Sequence, residues 1–277
     1  AMREFAPGFV RALEERGADV IGGLMVEGRE WMYRQIARRS DAYFVSCRRD
    51  AGKLQSRGVV ETPKLQRMEP GVGIDVTRFD PEDDSLPSQK KARRRFDCPD
   101  SWRKVVAYRG DGRATRGTMD LLEVVARISR RRPEIGWLVE LQSPVRDRVR
   151  RRFESFEDSG HVRLLDKDER RAPSLLRAAD LVVEPSLEPE VSLRAMEGAA
   201  MQRAIVGYDT SAQRAVVRDG QTGRLVPAGK VGSLTESIVD LLDDPSRLEE
   251  MGIQSGSRAH DYFDRATIDQ KSMEKYD

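Results

Sequence analysis

The sequence predicts an α/β protein whose larger part is a doubly wound parallel sheet, and three features support this fold class. Strand-like runs alternate with helix-like runs, as they do where parallel strands are joined by helices. The run at 104–110 is almost wholly apolar and therefore of the buried-strand type. A break rich in glycine, proline and charge, residues 69–95, separates a short first part from a longer second part.

Each part has its own expected series of elements. Before the break, helices are expected at 5–17, 31–38 and 48–55, and strands at 19–26, 42–47 and 64–68. After the break, strands are expected at 104–110, 135–143, 161–166, 180–186, 204–209 and 223–227. Helices are expected at 118–130, 145–156, 173–178 and 234–242, from Ser192, from Pro245 with Asp244 as its cap, and at 262–277.

The break also defines the expected domain organisation. Residues 1–75 are expected to form a reduced N-terminal α/β lobe, followed by an interdomain linker at 76–97, with the hinge between the lobes expected near residues 71–95. Residues 98–258 hold enough strands and helices for a complete Rossmann-like domain. Residues 259–277 are expected to form a C-terminal helix.

Composition limits the class of protein. Hydrophobic residues make up 38% of the 277 and charged residues 35%, as in a globular chain with a heavily charged surface. No apolar run reaches the roughly 18–20 residues that span a bilayer. Cys47 and Cys98 are too few for a disulfide framework, so a reduced, cytoplasmic setting is expected.

Several kinds of site are disfavoured by residue counts. With only His161 and His260, a multi-histidine metal site and a Ser-His-Asp triad are both unexpected, and no metal is predicted. Arginine clusters at 90–96, 129–134 and 146–153 lack interleaved aromatic residues and are matched by acid elsewhere. Solvated faces explain them better than nucleic-acid binding, so no nucleic-acid partner is expected.

The first candidate site is the loop after the strand at 104–110. Ligands of open α/β sheets bind beyond the carboxyl ends of the strands, where helix N-termini present free N–H groups. The loop carries glycines that permit close backbone approach to a phosphate and arginines that can grip one: Gly110, Gly112, Arg113, Arg116 and Gly117. An ordinary βα turn is the alternative. The glycine spacing departs from G-x-G-x-x-G, which disfavours an NAD-dependent enzyme.

The second candidate site is the helix that Ser192 can cap. It carries Glu197 among Met196, Ala199 and Ala200, in a segment otherwise suited to burial. An unpaired buried carboxylate costs several kcal/mol. Either a salt bridge within the protein or the hydroxyls of a ligand would relieve that cost.

Three stretches resemble the GT-B retaining glycosyltransferases of group 1. Residues 175–229, "LLRAADLVVEPSLEPEVSLRAMEGAAMQRAIVGYDTSAQRAVVRDGQTGRLVPAG", resemble that family's pattern of an "aDv-v-PS" strand, a glutamate pair and a "dg-tG-lv-p" turn. "EPGVGIDVTRFDPED" resembles its interdomain segment, and "LLDDPSRLEEMG" one of its later helices. The resemblance runs from about Asp19 onward, with residues 98–258 matching the domain that binds the sugar donor.

This resemblance implies roles for individual residues of the donor site. The glutamate that binds the nucleotide ribose corresponds to Glu197. The backbone amides that meet the donor diphosphate correspond to Val191, Ser192 and Leu193. Arg113 and Arg116 would stabilise the departing diphosphate.

The sequence departs from the family pattern at several positions. The first glutamate of the pair falls on Pro189, and Glu190 is expected to reach the donor sugar instead. Asp111 stands where the family has a loop arginine, and Ser192 where it has a small glycine. The N-terminal part also lacks a recognisable glycine-rich acceptor loop and catalytic histidine region.

The expected function is transfer of a sugar from a nucleoside diphosphate sugar, with retention and without a resident cofactor. The acceptor is left open among a glycan, a lipid and a small molecule, and peripheral contact with a membrane is included among the expected interactions. The alternative is a truncated, catalytically weak or inactive relative that binds nucleotide sugars. The oligomeric state is not predicted.

Overall fold

The computed structural model describes residues 34, 35, 38, 43–45, 52, 54–61, 63, 65–67, 73–142, 147–188 and 190–273. Internal contacts divide the chain into two units, Ala1–Met68 and Glu69–Asp277. The helix predicted at 5–17 and the strand predicted at 19–26 lie outside the described residues.

The first unit contains a pair of short parallel strands. Strand β1 (Tyr43–Val45) pairs with β2 (Leu65–Arg67), with Tyr43 opposite Leu65. Both lie within predicted strands. Nearby, Val59 and Val60 are buried and pack with Leu54.

The second unit is built on six parallel strands. They are β3 (Lys104–Gly110), β4 (Ile135–Leu141), β5 (Val162–Asp166), β6 (Leu181–Glu184), β7 (Ala204–Tyr208) and β8 (Gly223–Val226). Their spatial order is β5-β4-β3-β6-β7-β8, so the chain winds outward from β3 and then outward again from β6. The predicted doubly wound parallel sheet is confirmed.

Helices cover both faces of this sheet. They are α1 (Gln89–Arg95), α2 (Thr118–Ser129), α3 (Asp147–Asp158), α4 (Ala172–Ala178), α5 (Leu193–Ala200), α6 (Ser211–Val216), α7 (Val231–Asp243), α8 (Pro245–Tyr262) and α9 (Arg265–Met273). Alternate residues of β3 enter different cores. Val106 and Tyr108 join the core that holds side chains of α2, α3 and α7, and Val105 and Ala107 join the core that holds those of α1, α4 and α5.

The segment expected to be a linker, residues 76–97, is instead part of the second unit. Val76, Phe79, Ala92 and Phe96 are buried in the core that also holds Val105. Ala92 is the only buried residue of α1, so this charged helix has no apolar periodicity that the sequence could reveal. The glycines and prolines of this segment correctly indicated loops, but these loops pack against the core of the second unit and do not form a free linker.

Contacts from α1 explain why it docks. Arg93 forms an ion pair with Asp180 at 2.6 Å, and its Nε donates to the carbonyl of Ala178. Oδ2 of Asp180, which accepts the hydrogen bond from Nη2 of Arg93, also accepts one from the backbone N–H of Val105 at 2.7 Å. One carboxylate therefore joins α1 to the starts of β3 and β6.

The C-terminal boundary also differs from the prediction. Helix α8 continues through residue 258 to Tyr262, and the separate terminal helix is α9. Ile268 of α9 is buried, and Ile74 forms a bridge with Asp264 just before it. Among the described helices, none is long and apolar enough to cross a membrane.

Candidate functional site

The two predicted strand ends are neighbours in the sheet. Val106 and Ala107 of β3 pair with Leu181 and Val182 of β6, the two strands from which the chain winds in opposite directions. Open α/β sheets bind ligands in the crevice beyond the carboxyl ends of the strands at such a switch point. The loops after β3 and β6 therefore define the candidate site.

The loop after β3 is folded around Asp111. Its carboxylate accepts from the backbone N–H of Arg113 at 3.1 Å and forms an ion pair with that guanidinium at 2.7 Å. Burial raises the pKa of Asp111, but these bonds from Arg113 outweigh burial and the net pKa is lowered. Gly112 has φ 76°, a conformation that glycine adopts without steric cost. Asp111 is therefore ionised at neutral pH and forms its main contacts with Arg113.

This loop is bonded to the loop after β6. The backbone N–H of Leu187 donates to the carbonyl of Thr115 at 2.8 Å, and the hydroxyl of Thr115 donates to Glu188 at 2.5 Å. Gly117 has φ 72°, and a Cβ there would lie 2.1 Å from the carbonyl oxygen of Pro185. Only glycine permits this approach of the two loops.

Gly110 also has a packing role. A Cβ there would lie 2.1 Å from the hydroxyl oxygen of Tyr108, which is hydrogen-bonded to Thr118 at 2.8 Å. The phosphate-binding roles of Gly110, Gly112 and Gly117 stay predictions. Contacts within the protein already account for glycine at Gly110 and Gly117.

The three residues predicted to be catalytic lie around these loops. The Arg113 side chain is 57% exposed and has Glu188 at 3.5 Å as a second carboxylate neighbour. The Arg116 side chain is 18% exposed, with Nη2 3.7 Å from Glu190 and Nε 3.9 Å from Asp111. Nε of Arg116 is buried and has no hydrogen-bond partner among the described residues. Arg116 therefore lies between two carboxylates, and both are beyond hydrogen-bonding distance.

The start of α5 lies beside them, and Ser192 is its N-cap as predicted. The hydroxyl of Ser192 accepts from the N–H of Ala195 at 3.3 Å and donates to Glu184 at 2.9 Å. Burial raises the pKa of Glu184, against the opposing effect of the Ser192 hydrogen bond. Val191 packs against the core, whereas Leu193 is exposed. Amides of the first helical turn have no partner within a helix and favour anions.

Glu197 has a partner within the protein, as one of the two alternatives drawn from the sequence expected. Its Oε2 accepts a hydrogen bond from Nη1 of Arg109 in an ion pair. The Glu197 side chain is 14% exposed. The salt-bridge alternative is thus present in the structure, and ribose binding by Glu197 stays a prediction.

Arg109 joins Glu197 to two further carboxylates. Its Nε lies 2.9 Å from Oε1 of Glu140 on β4, and its Nη2 lies 3.4 Å from Oε2 of Glu169 in the loop after β5. The side chains of Arg109 and Glu140 are each only 2% exposed. Burial, together with the negative charge of Glu169, raises the pKa of Glu197 against the opposing charge of Arg109. We name these four residues the Arg109 cluster.

Arg109, Glu140 and Glu169 are not among the site residues predicted from the sequence. Arg109 and Glu140 are directly opposite in the β3–β4 register, one residue before the end of each strand. Their sequence contained one indication of this pair, since each is the single charged residue near the carboxyl end of a largely apolar strand. Glu169 lies in a loop of alternating charges and carried no such signal.

The second unit matches a known protein family. The family model described as "Glycosyl transferases group 1" matches residues 103–244, slightly more than half of the chain. The matched region begins just before β3 and ends just after α7, so it contains both site loops and the Arg109 cluster.

Curated relatives agree with that family. The chain is 22% identical to alpha-D-kanosaminyltransferase of Streptomyces kanamyceticus over 80% of its own length and 56% of the relative's. It is 26% identical to D-inositol 3-phosphate glycosyltransferase of Corynebacterium glutamicum (strain R) over 89% and 59%. The chain thus spans little more than half the length of these relatives.

Solved structures share the fold. Sucrose-phosphate synthase from Thermosynechococcus elongatus matches with a TM-score of 0.74 at 21% identity, covering 90% of this chain and 61% of that one. Anabaena Alr3699/HepE, solved in complex with UDP and glucose, matches with a TM-score of 0.73 at 16% identity, covering 87% and 64%.

Proposed function

We propose that the chain, which belongs to the group 1 glycosyltransferases and has their GT-B-type α/β fold, transfers a sugar from a nucleoside diphosphate sugar with retention of anomeric configuration. The main support for this proposal comes from Arg116, because its buried Nε has no hydrogen-bond partner in the described part of the chain. This guanidinium lies at the junction of the two loops at the switch point. A diphosphate oxygen would supply the missing acceptor.

The donor would lie across the strand ends with its diphosphate between the loop after β3 and the start of α5. The carboxylate neighbours of Arg116 are 3.7 Å and 3.9 Å away, longer than a good hydrogen bond, so a phosphate could replace them at low cost. Arg113 and the backbone amides of Val191, Ser192 and Leu193, at the start of α5 and just before it, would add positive potential. Such preorganised electrostatics stabilises the charge that grows on a leaving diphosphate.

The remaining residues would hold the nucleoside and the sugar. Glu197 would accept hydrogen bonds from ribose hydroxyls, and Glu190 would reach the transferred sugar. The bond from the anomeric carbon to the diphosphate breaks, the acceptor oxygen forms the new bond, and the acceptor's hydroxyl proton is released. No resident metal or cofactor is part of this proposal, and the acceptor stays open among a glycan, a lipid and a small molecule.

A binding relative with weak or no turnover is the second candidate function. It is favoured by the acidic surroundings of both arginines: Asp111 and Glu188 lie near Arg113, and Asp111 and Glu190 lie near Arg116. These carboxylates would repel the diphosphate and oppose the build-up of negative charge in the transition state.

Calorimetric titration tests donor binding. UDP is the first ligand to try, because the Anabaena neighbour was solved with it, followed by GDP, ADP, uridine and NAD. We expect a nucleoside diphosphate to bind and NAD not to bind. Binding of NAD alone would contradict the proposal.

A matched pair of variants tests the role of Arg116. Arg116→Gln should weaken UDP binding about tenfold or more, because hydrogen bonds to charged groups contribute about 1.5–3 kcal/mol. Uridine binding should change little. Arg152→Gln, at an exposed position of α3, is the control. An equal loss for UDP and uridine would show that Arg116 does not bind phosphate.

Product analysis separates the two candidate functions. Incubation with UDP-glucose and a panel of hydroxyl-bearing acceptors should yield a glycoside whose anomeric configuration, read by NMR, matches that of the donor. Tight UDP binding without product would favour the binding relative. An inverted product would contradict retention.

A further inference from the structure

We propose that Arg109 is a positioning residue for the nucleoside end of the site, which it organises by holding Glu197. This inference rests on the proposed function, since it takes Glu197 as the carboxylate that receives the ribose hydroxyls. Arg109 itself need not touch the donor. Its role would be to present one oxygen of Glu197 in a fixed place and to hold Glu169 beside it.

The geometry of the cluster supports an anchored arrangement. Each nitrogen of the Arg109 guanidinium reaches a carboxylate on a different element: Glu140 on β4, Glu169 after β5 and Glu197 on α5. Because Arg109 and Glu140 are register partners in the sheet and almost fully buried, their pair has little freedom to move. The planar guanidinium then fixes the direction in which Glu197 is held.

Exposure increases outward across the cluster. The side chains of Arg109 and Glu140 are buried, whereas Glu197 is partly exposed and the Glu169 side chain is 46% exposed. Glu140 therefore anchors the guanidinium from inside the sheet, and Glu197 and Glu169 are the members that a ligand could reach. We call Glu169 and Glu197, the two more exposed members, the outer end of the cluster.

Charge determines which ligand group suits this outer end. All three carboxylates of the cluster face Arg109, and Glu169 also forms an ion pair with Lys167 at 2.9 Å. Arg78 is a further cation near Glu197, and it also donates to the backbone carbonyl of Glu169. These cations largely balance the three carboxylates, so neutral hydroxyls can donate hydrogen bonds to Glu197 and Glu169 without disturbing the balance, whereas a phosphate would add negative charge. The cluster thus favours an unmodified ribose diol.

The direct test replaces Arg109 by lysine, which keeps the charge and loses the planar fork. Tm and affinities for UDP, 2′,3′-dideoxyuridine diphosphate and inorganic pyrophosphate are measured for each variant. Arg93→Lys is the matched control, since Arg93 is a partly buried, ion-paired arginine near the opposite end of β3. A double variant, Arg109→Met with Glu140→Gln, removes the inner ion pair without stranding Glu140 should the lysine variant fold poorly.

We expect Arg109→Lys to weaken UDP binding about tenfold, the loss of a charge-assisted ribose contact. Pyrophosphate binding should be unchanged. Wild-type protein should prefer UDP to the dideoxy analogue, and both Arg109 variants should largely lose that preference. Arg93→Lys should keep it.

Two outcomes would overturn the inference while leaving the proposed function standing. One is a lower Tm with the preference for UDP over the dideoxy analogue intact, which would make Arg109 purely structural. The other is an equal loss of UDP and pyrophosphate affinity, which would place its effect at the phosphate end. Wild-type protein that binds no nucleoside diphosphate would overturn the proposed function, and this inference with it.

Discussion

Glu197 forms an ion pair within the protein and is also the residue proposed to bind the donor ribose. Its ion pair with Arg109 offsets part of the cost of burial, yet burial still raises its pKa. Because Arg109 keeps Glu140 and Glu169 as neighbours, Glu197 is not its sole counter-ion. The structural and the binding role of Glu197 are therefore compatible.

Replacing Glu197 with glutamine should separate those roles. Glu197→Gln should lower UDP affinity about ten- to a hundredfold, because it removes charge-assisted hydrogen bonds while keeping volume. Stability should change by no more than about 1 kcal/mol, because Arg109 stays paired and one of three mutually repelling carboxylates is lost. Calorimetry and thermal melting measure both quantities, with the exposed Glu249→Gln as control. Unchanged affinity with a large loss of Tm would make Glu197 structural.

Glu184 yields a pH-dependent prediction. Burial raises the pKa of its carboxyl above the ordinary 4.5, so ionised Glu184 destabilises the fold. This destabilisation is absent below 4.5, grows as pH rises towards the raised pKa, and is complete above it. For a carboxyl raised in this way, the destabilisation is about 1.4 kcal/mol for every pH unit by which the folded pKa exceeds the unfolded one.

Glu184→Gln should consequently raise Tm, and by more at pH 8 than at pH 5. Glutamine is neutral at both values and its amide oxygen can still accept the Ser192 hydroxyl. Melting curves of both proteins at the two pH values give the comparison. A Tm gain that is larger at pH 5 would contradict the raised pKa.

Among the structural elements, the loops after β3 and β6 are held together by direct contacts. The hydrogen bonds from Leu187 to Thr115 and from Thr115 to Glu188 join them, and Gly117 permits their close approach to Pro185. The position of Arg116, next to Gly117, depends on that approach.

Gly117→Ala should therefore be costly in both stability and affinity. Gly229 is the matched control, because its φ of 74° is nearly the same as the 72° of Gly117 but a Cβ there meets nothing within 4 Å. Gly229→Ala should cost about 1 kcal/mol from backbone strain alone. Gly117→Ala should cost at least about 1 kcal/mol more and weaken UDP binding. Equal Tm losses in the two variants would show that the Pro185 contact is unimportant.

At the scale of the whole molecule, topology leaves the function open. The strand order, two windings outward from a central pair, is also that of dinucleotide-binding domains. Fold alone therefore does not distinguish an NAD enzyme from a glycosyltransferase. The distinction comes from the family match over 103–244 and from the glycine spacing of the first loop.

The distribution of predicted contacts favours binding over turnover in this chain. The residues proposed to hold the donor all lie in the second unit, and the carboxylates beside Arg113 and Arg116 would oppose the build-up of negative charge on a bound diphosphate. We expect a measurable dissociation constant for UDP but turnover below about 1 per second. Steady-state assays with UDP-sugars and the acceptor panel measure it. Turnover of about 1–10³ per second would contradict this expectation.

The amino-acid pattern was sufficient to predict the sheet, most of its helices and the two strand ends at the candidate site. Apolar runs record burial on both faces of a strand, so all six strands of the second unit were predicted to within about two residues. Capping residues act locally, and Ser192 and Asp244 cap α5 and α8 as expected. Helix α1 was missed because only Ala92 is buried.

The pairing of charged residues depends on the tertiary fold and could not be predicted from local patterns. Arg109 and Glu197 are 88 residues apart, and they form an ion pair because β3 and β6 are adjacent and α5 follows β6. The same adjacency brings Gly117 against Pro185 and places Glu188 and Glu190 beside the arginines. Local patterns encode whether a residue is buried. The identity of its partner depends on the order of strands in the sheet, which no local pattern contains.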